Sequence, residues 1–224
     1  MMHKIGAWVL HEASQQCASW HANGHTGLQL SVNLATAQFK KHDLTAKVFS
    51  ILEKTGLPPG KLQFDLNESI IQLTCEEALE QISLGLSDQQ AELPCPFGTG
   101  HNCALHPLYA FKNAGIRLAL DNFGTGYSSL GYLHHLPIDT IKISPRFTSC
   151  SEGSKSESLL AAIIAMAGSL GLVSIAEGVE NEQQFQLLKR LQCQRVQGYL
   201  TGRPLSAEHF GRLLDEQDQT SPAR

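Results

Sequence analysis

The sequence predicts an α/β protein in which parallel strands, each followed by a helix, form a barrel. Two observations predict this class. Short apolar segments with strand character alternate with helical segments along the chain, which is the pattern of parallel β/α units. Within several strands, polar residues also alternate with apolar ones, so that one face of each strand carries polar groups to the mouth of a barrel.

The predicted elements follow one another in a regular order. The strands end near six polar residues, which are Asn33, Asp65, Asp121, Lys142, Glu177 and Gln197. The helices cover residues 4–20, 44–54, 69–82, 108–113, 156–169 and 182–191. The last of these helices begins with a capping-box pattern, Asn181 followed by Gln184. The strand that ends at Glu177 lacks a clean alternation, and the sequence does not explain why.

Catalytic groups of β/α barrels lie at the carboxyl ends of the strands. Six polar strand ends therefore predict a functional site on one rim of the barrel. Considered without the other strand ends, Asn33 or Gln197 would instead be interpreted as a capping or loop-anchoring residue.

Five segments in order resemble the motifs of the EAL domain family. They read SVNLATAQF, KLQFDLNES, LALDNFGTGYSSL, SIAEGVEN and RVQGYLTGRPL. The resemblance implies a TIM-like (β/α)8 barrel of the EAL type. It also implies membership of a family that hydrolyses cyclic di-GMP.

The resemblance further implies roles for single residues. The positions that match metal ligands are Asn33, Asp65, Asp121, Asn122 and Glu177. Lys142 matches the residue that positions the attacking water and, with Glu177, is the expected catalytic residue. Glu68 and Glu180 match loop-supporting positions, and Gln197 matches a residue of the ligand pocket. The expected cofactor is Mg²⁺ or Mn²⁺, because phosphodiester hydrolysis uses metal-activated water and hard cations prefer oxygen ligands.

Two ligand positions depart from the family pattern. Asn122 stands where the family has an aspartate, and Asp65 stands where it has a glutamate. Asn122 carries no charge and Asp65 is one methylene shorter, so we expect weaker metal binding. The family's namesake segment lies on a strand before the first helix of this sequence, so the barrel is expected to be incomplete, without its first two strands. Exposed edges near residues 30–33 and 195–199 would then favour a homo-oligomer or a protein partner.

Composition predicts one soluble domain that does not bind nucleic acid. The 224 residues are 42% hydrophobic and carry a formal charge of −4 without a basic block. Six scattered cysteines favour reduced thiols and a cytoplasmic protein. The apolar run over residues 159–176 approaches the ~18 residues that raise the question of a membrane span. Its glycines and the following SIAEGVE segment favour a buried helix and strand instead.

The EAL-like domain is expected over residues 1–214, and a polar tail over residues 215–224. Residues 84–107 are expected to form an inserted surface loop, because the segment exceeds the usual connection of about 2–6 residues. An alternative for this segment is a zinc site formed by Cys95, His101, Cys103 and His106, although the spacing matches no standard zinc finger.

Three functional hypotheses stay open at this point. The first is a degenerate domain with impaired catalysis that acts as a cyclic di-GMP receptor or a protein-interaction module. The second is an active metal-dependent phosphodiesterase, producing linear pGpG, whose barrel is completed by another chain or a swapped copy. The third is a gene remnant without function. The altered ligands favour the first hypothesis over the second.

Overall fold

The structure, a computed structural model, describes residues 2–41, 43–72, 106–124, 133, 136–149 and 154–220. The loop predicted over residues 84–107 lies outside these ranges except for its last two residues, which are helical. The alternative zinc site also lies outside them, apart from His106. Of the described cysteines, Cys17 is buried and Cys193 is partly exposed, and both are free thiols.

A single parallel sheet of six strands forms the centre of the described fold. The strands are β1 (Leu30–Leu34), β2 (Leu62–Asn67), β3 (Arg117–Phe123), β4 (Thr140–Ile143), β5 (Val173–Ala176) and β6 (Arg195–Val196). Each strand pairs with the next one in sequence, which is the topology of successive β/α units in a barrel. The α/β class and the predicted order of strands are therefore confirmed.

Helices connect the strands and cover one face of the sheet. They are α1 (Met2–Ala22), α2 (Thr36–Phe39), α3 (Leu44–Thr55), α4 (His106–Asn113), α5 (Pro145–Thr148), α6 (Lys155–Ser169), α7 (Glu182–Arg190) and α8 (Ala207–Thr220). Residues 68–72 are also helical. The apolar run over residues 159–176 divides into α6 and β5, as predicted. Among the described helices, none combines the length and apolar character needed to cross a membrane.

The alternation predicted for β2 decides which side chains face the helices. Leu62, Phe64 and Leu66 are fully buried between the sheet and the helix layer. Phe64 packs against Phe111 of α4 with ring centroids 5.1 Å apart. Burying an aromatic or aliphatic side chain of this size contributes about 1.5–3 kcal/mol. This packing fixes the opposite face of β2, which carries Gln63 and Asp65.

The outer strands of the sheet are β1 and β6. Within the described residues, no further strand pairs with either outer edge. Helix α8 packs near the amino-terminal part of the chain, because Phe210 contacts Trp20 of α1 with ring centroids 5.0 Å apart. Asp215 also contacts His25 at 3.2 Å. Residues 215–220, the first six of the predicted polar tail, continue α8. The domain bounds themselves stay a prediction.

A close backbone approach joins the segment after β6 to the segment after β5. A Cβ atom at Gly198 would lie 2.2 Å from the carbonyl oxygen and 2.3 Å from the nitrogen of Val179. We therefore expect Gly198→Ala to lower the free energy of unfolding by about 1–3 kcal/mol, as overpacking does in well-packed sites. Thermal unfolding should show a melting temperature lower by roughly 2–4 °C for each kcal/mol.

Gly202→Ala is the matched control for this experiment, because no atom lies within 4 Å of the Cβ position at Gly202. Equal melting temperatures for the two variants would contradict the close approach.

Candidate functional site

Three carboxylates, one from β2, one from β3 and one directly after β5, meet at one buried lysine of β4. The Nζ atom of Lys142 lies 2.9 Å from Glu177 Oε1, 3.0 Å from Asp65 Oδ2 and 3.7 Å from Asp121 Oδ1. The side chain of Lys142 is only 9% exposed. We call these four residues the Lys142 cluster. Its three negative charges and one positive charge leave a net charge of −2 when all four groups are ionised.

Strand alternation brings these side chains to one face. Lys142 lies between Ile141 and Ile143, which are fully buried on the helix side. The amide of Glu177 donates to the carbonyl of Ile143 at 3.0 Å, so Glu177 extends the β5 ladder by one residue. Glu177 consequently shares a face with Ile175, the residue paired with Lys142. The sequence of β5 does not show this alternation, because Val173 and Ile175, the residues on the same face as Glu177, are apolar.

Asp65 is the most completely bonded carboxylate of the cluster. It is 4% exposed. Its Oδ1 atom accepts hydrogen bonds from Ser31 Oγ at 2.6 Å and from Gln63 Nε2 at 3.0 Å. Its Oδ2 atom accepts from Lys142 at 3.0 Å. The sequence analysis did not identify Ser31 and Gln63 as site residues. The alternation did contain a signal, because Gln63 lies two residues before Asp65 and Ser31 lies two before Asn33.

Asp121 and Asn122 lie where the pairing of β3 with β4 changes register. A register shift of this kind redirects side chains and is common next to active sites. Asn122 has a positive φ of 55°, and its Nδ2 atom donates to Asp121 Oδ2 at 2.9 Å. Asp121 Oδ1 is buried and has no hydrogen-bond partner. A buried carboxylate oxygen of this kind is available to an additional cation or donor.

The cluster shifts the pKa values of two members. Burial by itself would lower the pKa of Lys142, but the hydrogen bond to Glu177 and the charge of Asp65 outweigh it and raise that pKa above its ordinary value. Lys142 is therefore a cation at neutral pH. Burial raises the pKa of Glu177, the pair with Lys142 opposes this rise, and the charges of Asp121 and Asp65 add to it.

The other predicted site residues surround the cluster. Asn33 pairs in register with Asp65 and is exposed at the outer strand β1. Gln197 is exposed directly after β6, and its amide donates to the carbonyl of Ala176 at 2.8 Å. Glu180 is exposed beside α7. Glu68 accepts a hydrogen bond from the amide of Gly124 at 2.9 Å, so it contacts the loop after β3. The roles expected for these residues stay predictions.

Two further contacts hold the segment around Glu177. Thr148 of α5 is 1% exposed, and its Oγ1 atom donates to the carbonyl of Glu177 at 2.7 Å. Ser144, directly after β4, caps α5 by accepting from the amide of Arg146. These residues are not cluster members, but they position the backbone on both sides of the cluster.

The donor set fits a divalent cation only in part. Carboxylate and amide oxygens are suitable ligands for Mg²⁺ or Mn²⁺, and Asp121 Oδ1 is one that lacks a hydrogen-bond donor. Within the described residues, however, no three His, Cys, Asp or Glu side chains form a group that could hold a metal ion. The ammonium of Lys142 lies where the three carboxylates converge. A net charge of −2 matches one divalent cation better than two.

The fold and the cluster together define a β/α barrel protein whose acidic site lies at the carboxyl ends of the strands. The particular family follows from its sequence. The profile of the EAL domain matches residues 1–204. The chain belongs to the EAL domain family, and the resemblance seen in its five motifs is confirmed.

Known relatives and structures agree with this assignment. The chain is 35% identical over 208 residues to the bifunctional diguanylate cyclase/cyclic di-GMP phosphodiesterase MucR of Pseudomonas aeruginosa, covering 92% of the chain and 27% of MucR. The chain thus spans about a quarter of this relative. A solved complex of the PaMucR phosphodiesterase with c-di-GMP is 33% identical and has a TM-score of 0.74, covering 92% of this chain and 74% of that one.

A manganese/cyclic di-GMP complex of Klebsiella pneumoniae BlrP1 has a TM-score of 0.68 at 23% identity, covering 90% of this chain and 45% of that chain. At this identity the likeness shows the fold. The structure neighbours therefore include metal-bound EAL proteins, and they support the barrel architecture.

The charge balance of the cluster can be tested by removing its cation. We expect Lys142→Met to lower the free energy of unfolding at pH 8 by about 3–5 kcal/mol, because buried carboxylates lose their partner. The loss should be smaller at pH 5.5. Lys142 opposes the rise in the pKa of Glu177, so this pKa rises further without it. The folded state then binds more protons than the unfolded state, and stability falls as pH increases. Urea unfolding at both pH values measures this difference.

Lys47→Met is the control, because Lys47 and its partner Asp43 are both more than half exposed and water screens such pairs. A loss for Lys142→Met that is equal at both pH values would contradict the charge balance.

Proposed function

We propose that this chain is an EAL domain that binds cyclic di-GMP and hydrolyses it weakly or not at all, acting as a receptor or a protein-interaction module. The observation that carries the proposal is the ion pairing of Lys142 with three carboxylates. A lysine held in this way has less freedom to position water. Relatives named as cyclic di-GMP phosphodiesterases and a related c-di-GMP complex support the choice of ligand.

The site is expected to bind one divalent ion and not two, which also supports weak hydrolysis. A pair of divalent ions about 3.5–4 Å apart activates water and stabilises the charge that develops at phosphorus. In this chain, Asp121 and Glu177 would hold a Mg²⁺ or Mn²⁺ ion, with amide oxygens of Asn33 and Asn122 as weaker ligands. Asn122 is neutral, so the rim lacks the charge that a second ion requires.

Each residue of the rim has a task in ligand binding under this proposal. The exposed amide side chains of Asn33 and Gln197 can donate to phosphate and to base edges. Glu68 holds the amide of Gly124 and thereby the start of the loop after β3. Lys142 supplies positive charge below the phosphate. Glu180, exposed beside α7, supports the loop that follows Glu177.

Active phosphodiesterase chemistry is the second candidate. The buried Asp121 Oδ1 atom without a hydrogen-bond partner favours it, because a bound cation would satisfy this oxygen. For either candidate, the outer edges of β1 and β6 are surfaces on which a second copy or another protein could add a strand.

Binding and turnover distinguish the two candidates directly. We expect calorimetric titration of the full chain with cyclic di-GMP to give saturable binding. Chromatography should show linear dinucleotide forming no more than ~10-fold faster than in Glu177→Gln, a barrier difference of ~1.4 kcal/mol. Turnover that depends on MnCl₂, exceeds this limit and disappears in Glu177→Gln would support the active enzyme. Absence of binding would overturn both candidates.

The effect of the neutral Asn122 on metal binding can be tested separately from turnover. We expect Asn122→Asp to bind Mn²⁺ about tenfold more tightly than the wild type, because affinity rises with ligand charge. Titration with MnCl₂, followed by the electron paramagnetic resonance of free Mn²⁺, measures this change. Asn113→Asp is the control, since Asn113 is exposed at the end of α4, before β3 begins. Unchanged affinity in Asn122→Asp would show that residue 122 is not a ligand position.

A further inference from the structure

We propose that Asp65 positions Lys142 and is not a metal ligand, and that Ser31 and Gln63 hold Asp65 in place for this purpose. This assigns Asp65 a different role from the one implied by the family resemblance. It concerns the site of the proposed function and specifies how that site works without depending on the identity of the ligand.

Protein donors already occupy most of the Asp65 carboxylate. Three protein donors already occupy it: Ser31 Oγ at 2.6 Å, Gln63 Nε2 at 3.0 Å and Lys142 Nζ at 3.0 Å. A carboxylate offers about four lone-pair sites. A metal ion at Asp65 would have to share Oδ2 with the Lys142 ammonium or displace it. A displaced Lys142 would be a buried cation with one partner fewer, which is costly.

Asp121 differs from Asp65 in its hydrogen bonding. Asp121 Oδ1 is also buried but has no hydrogen-bond partner, and its distance to Lys142 Nζ is longer, at 3.7 Å. The two aspartates carry the same charge and face the same lysine. Only Asp65 makes a direct hydrogen bond to it. Asp121 Oδ1 is therefore the oxygen that is available to a cation.

The register of β1 and β2 brings together the residues that hold Asp65. Ser31 of β1 pairs with Gln63 of β2, and Gln63 lies on the same face as Asp65, two residues further along the strand. Gln63 Nε2 also donates to Ser31 Oγ at 3.1 Å. Ser31, Gln63 and Asp65 therefore form a closed ring of hydrogen bonds. Rigid strands position side chains more accurately than loops do, so the ring fixes Asp65 and Asp65 fixes Lys142.

The hydrogen bonding of Lys142 can be observed without metal or nucleotide. The experiment uses the full chain labelled with ¹⁵N, in buffer that contains EDTA. The ammonium of a buried and hydrogen-bonded lysine gives a proton–nitrogen correlation signal, because its protons exchange slowly with water. Lys142→Arg identifies this signal by removing it. We expect Asp65→Asn to accelerate the exchange at least about tenfold, because a hydrogen bond to a charged group is lost.

Ser31→Ala gives the decisive comparison, because it removes a donor to Asp65 without touching Lys142 or changing any charge. We expect exchange at Lys142 to accelerate about threefold in this variant. Asp121→Asn, which removes the same charge as Asp65→Asn, should change it less than about twofold. Equal effects of Asp65→Asn and Asp121→Asn, or no effect of Ser31→Ala, would overturn the proposal. If Asp65→Asn does not fold, Ser31→Ala decides by the same signal.

A titration of the same variants with MnCl₂ tests the second half of the proposal. We expect Asp121→Asn to weaken Mn²⁺ binding at least about fivefold more than the charge-matched Asp65→Asn. Weakening by Asp65→Asn that equals or exceeds this effect would make Asp65 a ligand and overturn the proposal. The exchange measurement uses neither metal nor cyclic di-GMP, so failure of the proposed ligand binding leaves its outcome unaffected.

Discussion

The buried ammonium of Lys142 is the constraint on which the arrangement of the sheet's carboxyl ends depends. Removing a charge from water costs several kcal/mol unless close partners and additional hydrogen bonds compensate it. Here the partners come from β2, β3 and the residue after β5. These elements must therefore end at nearly the same height along the barrel axis. A one-residue slip of any strand would turn its carboxylate to the opposite face and leave the cluster with one partner fewer.

Packing on the helix side of the sheet fixes this strand register. The core therefore determines the direction of the side chains in the site. Phe64 of β2 and the isoleucines of β4 are fully buried among the helices, and their strand neighbours Asp65 and Lys142 must then face the other way. The core also explains why the cluster tolerates its own charge. The apolar layer resists movement, and the carboxylates cannot separate to relieve their repulsion without disturbing it.

Much of this architecture could be predicted from the sequence, because alternation in β2 and the order of motifs are local signals. The polar faces at Asp65, Asp121 and Lys142 followed from neighbours one residue away. Glu177 was harder, since Ile175 and Val173 place apolar side chains on the face that carries polar ones in the other strands. The contact of Glu68 with Gly124, 56 residues away, could not be predicted. For Ser31 and Gln63, the alternation predicts the face of the strand but not their hydrogen bonds to Asp65, which depend on side-chain conformations across neighbouring strands.

The internal cation also bears on how the acidic rim of an EAL domain keeps its shape. Carboxylates that converge on a rim repel one another, and in a metal-dependent site the divalent ions offset this repulsion. In this chain Lys142 supplies one positive charge from within the protein, and its raised pKa keeps that charge in place at neutral pH. The rim therefore keeps Asp65 and Glu177 within hydrogen-bond distance of one atom, Lys142 Nζ. A site organised by its own lysine is held in shape before a ligand arrives, so binding requires less reorganisation. The same pairing that weakens the case for two-metal hydrolysis thus strengthens the case for binding.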